Sequence, residues 1–154
     1  GYANQVYVQD VIGGTWYPNS TTVQNSQAVI DITVMQNGSL IGVGTDNQLY
    51  SRQTLNSPWV NMNINGKWIT VSIMNDQKTL LLVGQDNKLY KYNVSGGTPE
   101  LVNGGMCCIS KVIQLQDNTF LAVGGGGFDT LFTSPDLVQF WTMVSKYIFS
   151  IPTS

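Results

Sequence analysis

Short apolar runs of four to six residues alternate with polar turn residues along most of the chain. The runs are rich in β-branched and aromatic residues, and Gly, Asn-Gly or Asp-Asn separates them about every ten residues. Such runs are typical of β-strands, and the spacing of an amphipathic helix is not sustained anywhere. The pattern therefore predicts an all-β protein.

The strand pattern repeats with a period of 40 residues. Residues 40–50 (LIGVGTDNQLY) match residues 80–90 (LLLVGQDNKLY) position for position, and residues 120–124 (FLAVG) begin a third copy. An apolar segment precedes each copy and an aromatic or apolar segment follows it, so each unit contains four short strands. Four-stranded units that must bury their faces against neighbours are what a β-propeller requires. The predicted units cover residues 27–66, 67–105 and 106–144.

The two ends of the chain resemble the late and the early part of such a unit. Residues 4–7 repeat the pattern of residues 47–50, and residues 146–151 resemble residues 67–73. The ends are therefore expected to form a split fourth unit from residues 145–154 and 1–26. The second strand of this unit has no counterpart in the sequence. The last three residues could take its place, a neighbouring chain could supply it in a homo-oligomer, or the place could stay open.

The fold prediction is thus a single domain, residues 1–154, forming a small β-propeller of about four four-stranded blades whose terminal strands close one blade. The alternative is a β-trefoil, which also has about 150 residues and repeats near 40 residues. A trefoil has three units, however, whereas this sequence contains three units and most of a fourth.

Composition excludes several function classes. The 154 residues are 42% hydrophobic and 10% charged, with a formal net charge of −2 and no His, which rules out Ser-His-Asp or Cys-His catalysis and His-ligated zinc. Glu100 is the only Glu and the Asp residues recur at turns, so no facing carboxylate pair is expected. Few basic residues disfavour a nucleic-acid partner, and no apolar run reaches the roughly 18 residues of a membrane span. A non-enzymatic protein without cofactor, required metal or membrane insertion is expected.

One family resemblance emerges from the repeated positions. Residues 67–73 (KWITVSI), 82–90 (LVGQDNKLY) and 49–52 (LYSR), the last followed by Trp59, resemble the tectonin and tachylectin-2 type of propeller lectin. The resemblance covers nearly the whole chain and depends on repeated Val-Gly, Leu-Tyr and Trp positions. It implies a secreted or cell-surface lectin that binds glycans or glycoproteins through several weak sites between repeats.

Sugar recognition also suggests candidate residues. A pyranose packs its apolar face on an aromatic ring, and its hydroxyls bind short polar side chains. Trp68 and Tyr147 each open a unit just after an inter-blade loop, where a ring can be exposed at the rim. The candidate carbohydrate-binding residues are Trp68, Tyr147, Asp46, Asn47, Asp86, Asn87, Trp59 and Trp16.

Each candidate also has a structural interpretation. Trp59 and Trp16 can anchor outer strands, and the Asp-Asn pairs can close hairpin turns, since Asn tolerates positive φ. The alternative function is accordingly a structural or adhesive protein, or a β-trefoil-type protease inhibitor, that binds protein and not sugar.

Overall fold

The computed structural model consists of β-strands joined by turns and loops. It describes residues 7–9, 11–15, 17–18, 28–102, 108–124, 130–138 and 141–145, and no helix occurs among them. Consequently, none of the described segments is a helix that could cross a membrane. The strands in these segments are β1 (Tyr7–Val8), β2 (Tyr17–Pro18), β3 (Val29–Val34), β4 (Leu40–Gly44), β5 (Leu49–Arg52), β6 (Val60–Asn61), β7 (Trp68–Ile73), β8 (Thr79–Gly84), β9 (Leu89–Asn93), β10 (Glu100–Leu101), β11 (Ile109–Gln114), β12 (Phe120–Gly124), β13 (Leu131–Ser134) and β14 (Thr142–Ser145).

The strands form three antiparallel sheets of four strands each and one two-stranded hairpin. The first sheet is β3–β6, the second β7–β10 and the third β11–β14, and each follows the order of the chain. β1 and β2 form the hairpin. The predicted all-β class and the repetition of four-stranded units are confirmed.

The three sheets share local details as well as strand order. The first strand pair of each sheet contains an irregularity at the same place, after Val29, Trp68 and Ile109. A β-bulge of this kind bends a strand and increases its twist. The three sheets are therefore structural repeats, and positions in one sheet can be compared with those in the next.

Two apolar clusters hold the sheets together face to face. One cluster joins the first and second sheets through side chains such as Val43, Val71 and Leu82, all of which are buried. The other joins the second and third sheets, for example through Leu81 and Phe120. Successive side chains of a strand point to opposite faces of the sheet, so the second sheet contributes side chains to both clusters.

The first strands of the three sheets lie side by side. Asp31 of β3 accepts a hydrogen bond from the Val71 amide of β7 at 2.9 Å. Lys111 of β11 forms an ion pair with Asp31 at 2.5 Å and donates to the Val71 carbonyl at 3.2 Å. The Asp31 carboxylate and the Lys111 ammonium together thus connect all three sheets along their first strands.

Candidate functional site

A cleft of about 390 Å³ opens beside the second sheet at the end where β7 begins. We call it the Trp68 cleft. Its walls come from three places: the loop that leaves the first sheet, the turn between β8 and β9, and the segment before β10. The lining residues are Asn65, Gly66, Lys67, Trp68, Gly84, Gln85, Asp86, Tyr90, Thr98 and Pro99.

The repeats differ at one position that lines this cleft. The strand registers place Pro99 at the position that Trp59 occupies in the first sheet and Trp141 in the third. In the first sheet, the Trp59 ring lies about 3.1 Å from the point where a Cβ of Gly42 would be, and the Arg52 guanidinium stacks on that ring at 5.0 Å. In the second sheet the residue that corresponds to Gly42 is Leu82, whose side chain is fully buried, and Pro99 lines the Trp68 cleft.

Trp68 forms the floor of the cleft and not an exposed platform. Its side chain is only 3% exposed, so the expectation of a ring at the rim is wrong. Tyr90 packs edge-on against the indole, with ring centroids 5.3 Å apart at 78°. Gly66 covers another part of the ring so closely that a Cβ there would lie 2.3 Å from Trp68 Cζ2. Sequence spacing placed Trp68 after a loop, but it could not show that the loop backbone packs onto the ring.

The ring that the cleft does present is that of Tyr90, which is partly exposed. Its hydroxyl donates to Asp86 Oδ2 at 2.7 Å. This hydrogen bond, together with burial, raises the pKa of Tyr90. Asp86 Oδ1 accepts the Lys88 amide at 3.1 Å, so both carboxylate oxygens already have a partner.

The first sheet contains the same pair in a more buried form. Tyr50 donates to Asp46 Oδ2 at 2.6 Å, and burial together with Asp46 raises the pKa of Tyr50 to about 12. Burial alone would raise the pKa of Asp46, but the hydrogen bonds from Tyr50 and from the Gln48 amide lower it overall. Asp46 does not line the Trp68 cleft.

Asn47 and Asn87 close turns, as their structural interpretation predicted. Their φ values are 63° and 58°, in the left-handed region that Asn tolerates. Asn47 also clamps two sheets together: its Nδ2 donates to the Trp68 carbonyl at 2.9 Å, and its Oδ1 accepts from Gln85 at 2.8 Å. Asn87 makes one corresponding bond to the Ile109 carbonyl at 3.3 Å.

The remaining candidates lie elsewhere. Trp59 packs within the outer part of the first sheet, away from the cleft, whereas Tyr147 and Trp16 fall outside the described residues. Of the six candidates within the described residues, only Trp68 and Asp86 come together in the Trp68 cleft.

Several lining residues had no sequence prediction as ligands. Asn65, Lys67 and Gln85 are exposed polar side chains, and Tyr90 is a partly exposed residue of β9. The sequence does show one difference at this site, because Pro99 stands at a repeat position that is Trp in the two neighbouring units.

A second cleft of about 470 Å³ lies on the other side of the same loop. Gln48 and the consecutive residues 63–67 line it, so that Asn65, Gly66 and Lys67 border both clefts. Lys67 Nζ donates to the Asp46 carbonyl at 3.1 Å, which holds this side chain toward the first sheet. No group of three or more Cys, Asp or Glu side chains that could hold a metal ion occurs in the described segments.

The sequence matches no protein-family model and no curated protein. Its structure is similar to one described as YCF48 bound to D1 peptide, with a TM-score of 0.64 and 13% identity, over 96% of this chain and 49% of that one. YCF48 from Cyanidioschyzon merolae gives a TM-score of 0.59 and 14% identity, over 80% of this chain and 39% of that one. A structural genomics protein of unknown function from Bacteroides thetaiotaomicron gives a TM-score of 0.54 and 14% identity, over 79% of this chain and 32% of that one.

These similarities concern the fold. The neighbours are β-propeller proteins, and together with the three four-stranded antiparallel sheets they show that this chain has a β-propeller fold. The chain spans about half of the first neighbour's length and less of the other two.

Proposed function

We propose that the protein is a non-enzymatic carbohydrate-binding propeller, and that the Trp68 cleft is one of its sugar sites. The observation that carries this proposal is the combination of side chains in that cleft. A partly exposed Tyr90 ring and Pro99 lie beside the exposed polar groups of Lys67, Gln85 and Asp86.

The chemistry of a pyranose suits this combination. Its apolar C–H face can pack on the Tyr90 ring or on Pro99, while its hydroxyls can donate to the remaining lone pairs of Asp86 and exchange hydrogen bonds with Gln85. The volume of about 390 Å³ lies within the usual range for small-molecule sites, about 300–1,000 Å³. The cleft can therefore accept a sugar without a large rearrangement of the sheets.

Binding without catalysis is part of the proposal. Glycoside hydrolysis needs two carboxyl groups on opposite sides of the bond that is cleaved. Among the described residues, Asp86 is the only carboxylate that lines the Trp68 cleft, and its oxygens accept hydrogen bonds from the Lys88 amide and the Tyr90 hydroxyl. We further propose a secreted or cell-surface location, with glycans or glycoproteins as partners, as the resemblance to tectonin and tachylectin-2 implies.

The blade number belongs to the same proposal. Ile32 of β3 is 37% exposed, whereas the corresponding Val71 and Val112 are covered by the preceding sheet and are 0% and 1% exposed. The open face beside Ile32 has room for a further blade. The hairpin pairs Tyr7 with Pro18 in the same register that pairs Tyr50 with Asn61, as the outer strands of such a blade would.

We infer that the chain ends complete this fourth blade, as the sequence repeat suggests. Deleting residues 146–154 should then destabilise the whole domain, because it would remove a strand of the blade that we propose to pack on the exposed face of β3. Thermal unfolding of the truncated chain measures this effect. An unchanged midpoint and unchanged cooperativity would contradict closure by the termini.

A glycan array tests the sugar-binding proposal. We expect wild-type protein to bind a defined group of glycans, and Tyr90→Ala and Lys67→Ala to weaken that binding. The matched control is Tyr50→Phe, which alters the same Tyr–Asp pair in the first sheet without touching the cleft. A blank array with folded protein, or equal losses in Tyr50→Phe and Tyr90→Ala, would contradict the proposal.

Peptide binding is the second candidate function. One similar structure is described as bound to a peptide. The two clefts lie on either side of the segment 65–67, and an extended ligand could occupy both. A peptide array run beside the glycan array separates the two functions. Binding to peptides alone, lost when Lys67 or Tyr90 is replaced, would favour the second candidate.

A further inference from the structure

Trp68 is an exception among equivalent positions of the repeat. The strand registers align it with the aliphatic residues Val29 in the first sheet and Ile109 in the third. Trp68 adds a polar atom, Nε1, that is buried and has no hydrogen-bond partner among the described residues. A buried donor without an acceptor destabilises a fold, because the donor has lost its hydrogen bond to water. The indole ring packs against Gly66 and Tyr90, but its N–H has no role in that packing.

The location of this donor suggests what it is for. Trp68 forms the floor of the Trp68 cleft, and Lys67, the next residue, has its side chain at the cleft wall. Both groups donate hydrogen bonds and cannot accept them. Of the three donor positions on the Lys67 ammonium, one has a partner, the Asp46 carbonyl. The complementary ligand group is an acceptor that carries negative charge.

The acidic group in the cleft does not meet this need. Both Asp86 oxygens accept hydrogen bonds from within the second sheet, one from Tyr90 and one from Lys88. The Asp86 carboxylate therefore stays with its turn. Lys67 also attracts the Asp46 carboxylate of the first sheet, and a ligand carboxylate would share its positive charge.

We propose that the Trp68 cleft binds a carboxylate-bearing saccharide, a uronate, whose carboxylate accepts a hydrogen bond from Trp68 Nε1 and pairs with Lys67. This inference depends on the proposed sugar-binding function and specifies its ligand class. The segment 65–67 must move aside for the carboxylate to reach Nε1, because Gly66 packs against the indole. That segment is exposed, and Gly66 has no side chain to displace.

Trp68→Phe is the most informative variant, because it keeps an aromatic ring and removes the N–H. We expect it to weaken uronate binding about tenfold or more, as loss of a hydrogen bond to a charged group does. Binding of neutral glycosides should change much less. Trp141→Phe is the matched control, since Trp141 Nε1 is also buried without a partner but does not line the cleft. We expect its affinity for uronates to equal that of the wild type.

A second measurement uses the wild-type protein and does not require any variant to fold. The indole N–H signals are followed by ¹H–¹⁵N NMR while methyl glucuronide or methyl galacturonide is added, with the corresponding neutral glycosides as controls. The inference predicts that the Trp68 indole signal shifts with a uronate and much less with a neutral glycoside. Added salt should weaken the uronate effect, because ions screen the attraction to Lys67.

The outcomes separate this inference from the proposed function. Glycan binding that shifts backbone signals of the cleft but leaves the Trp68 indole signal unmoved by uronates overturns the inference and leaves the sugar site intact. Equal loss of affinity in Trp68→Phe and Trp141→Phe also overturns it. A blank glycan array, with no signal shifted by any saccharide, overturns both.

Discussion

Replacing Asn47 should show whether this residue is a structural clamp or a ligand group. Its side chain makes two hydrogen bonds that reach the second sheet, to the Trp68 carbonyl at 2.9 Å and from Gln85 at 2.8 Å. Its backbone adopts φ = 63°, and its carbonyl accepts the Trp68 amide at 3.0 Å. Asn47→Ala removes the two side-chain bonds and places a side chain with a Cβ, but no polar group, in the left-handed region.

The expected cost follows from these contacts. Two hydrogen bonds contribute roughly 0.5–1.5 kcal/mol each, and the left-handed conformation costs a residue such as Ala roughly 1 kcal/mol. We therefore expect Asn47→Ala to lower the free energy of unfolding by about 3 kcal/mol, or the melting temperature by about 6–12 °C for a domain of this size. Asn47→Gly avoids the conformational cost and should lose about 1 kcal/mol less than Asn47→Ala.

Urea unfolding followed by tryptophan fluorescence measures these differences. Asn87→Ala is the matched control, because Asn87 has a similar φ of 58° but donates only one, longer bond to Ile109 at 3.3 Å. Its cost should be smaller by about 1 kcal/mol. Equal losses in Asn47→Ala and Asn87→Ala would refute the clamp, as would loss of glycan binding in a fully stable Asn47→Ala protein.

The remaining predictions concern the ion pair and the buried tyrosine. Lys111→Ala should lower the free energy of unfolding in urea by no more than about 1 kcal/mol, because the ion pair with Asp31 is partly exposed. Asp31→Ala should lower it more, because the Val71 amide loses its acceptor. Equal losses in the two variants would contradict this assignment. Tyr50 has a folded-state pKa of about 12 against an unfolded value near 10, so its contribution to stability is complete below about pH 10 and is lost as the pH rises toward about 12. Absorbance titration of the phenolate checks this, and Asp46→Asn should bring the pKa of Tyr50 back toward 10.

Much of the fold could be predicted because the repeat is local and short. Residues 40–50 and 80–90 contain two apolar strands and an Asp-Asn turn in one unbroken pattern, and the structure forms β4–β5 and β8–β9 from them. Such a pattern needs no knowledge of distant contacts. The number of blades depends on contacts between chain ends, which a repeat pattern does not specify.

The site was harder to predict because it arises between repeats. Trp68 looked suitable for stacking by its position after a loop, but Gly66 and Tyr90 cover its ring in three dimensions. Pro99, which lines the cleft, stands at a position that is Trp in the other two sheets. Sequence comparison among the repeats can detect that substitution, but only the structure shows which polar side chains border the space.

Mapping a bound glycan onto the protein tests the central proposal most directly. Backbone ¹H–¹⁵N spectra recorded while the strongest glycan-array ligand is added report which residues it reaches. We expect shifts concentrated at residues 65–68, 84–86, 90 and 98, with the turn at Asp46 and Asn47 of the first sheet much less affected; Pro99 has no backbone N–H and gives no signal. Saturable shifts that fall elsewhere, or no shifts with any glycan in a folded protein, would contradict it.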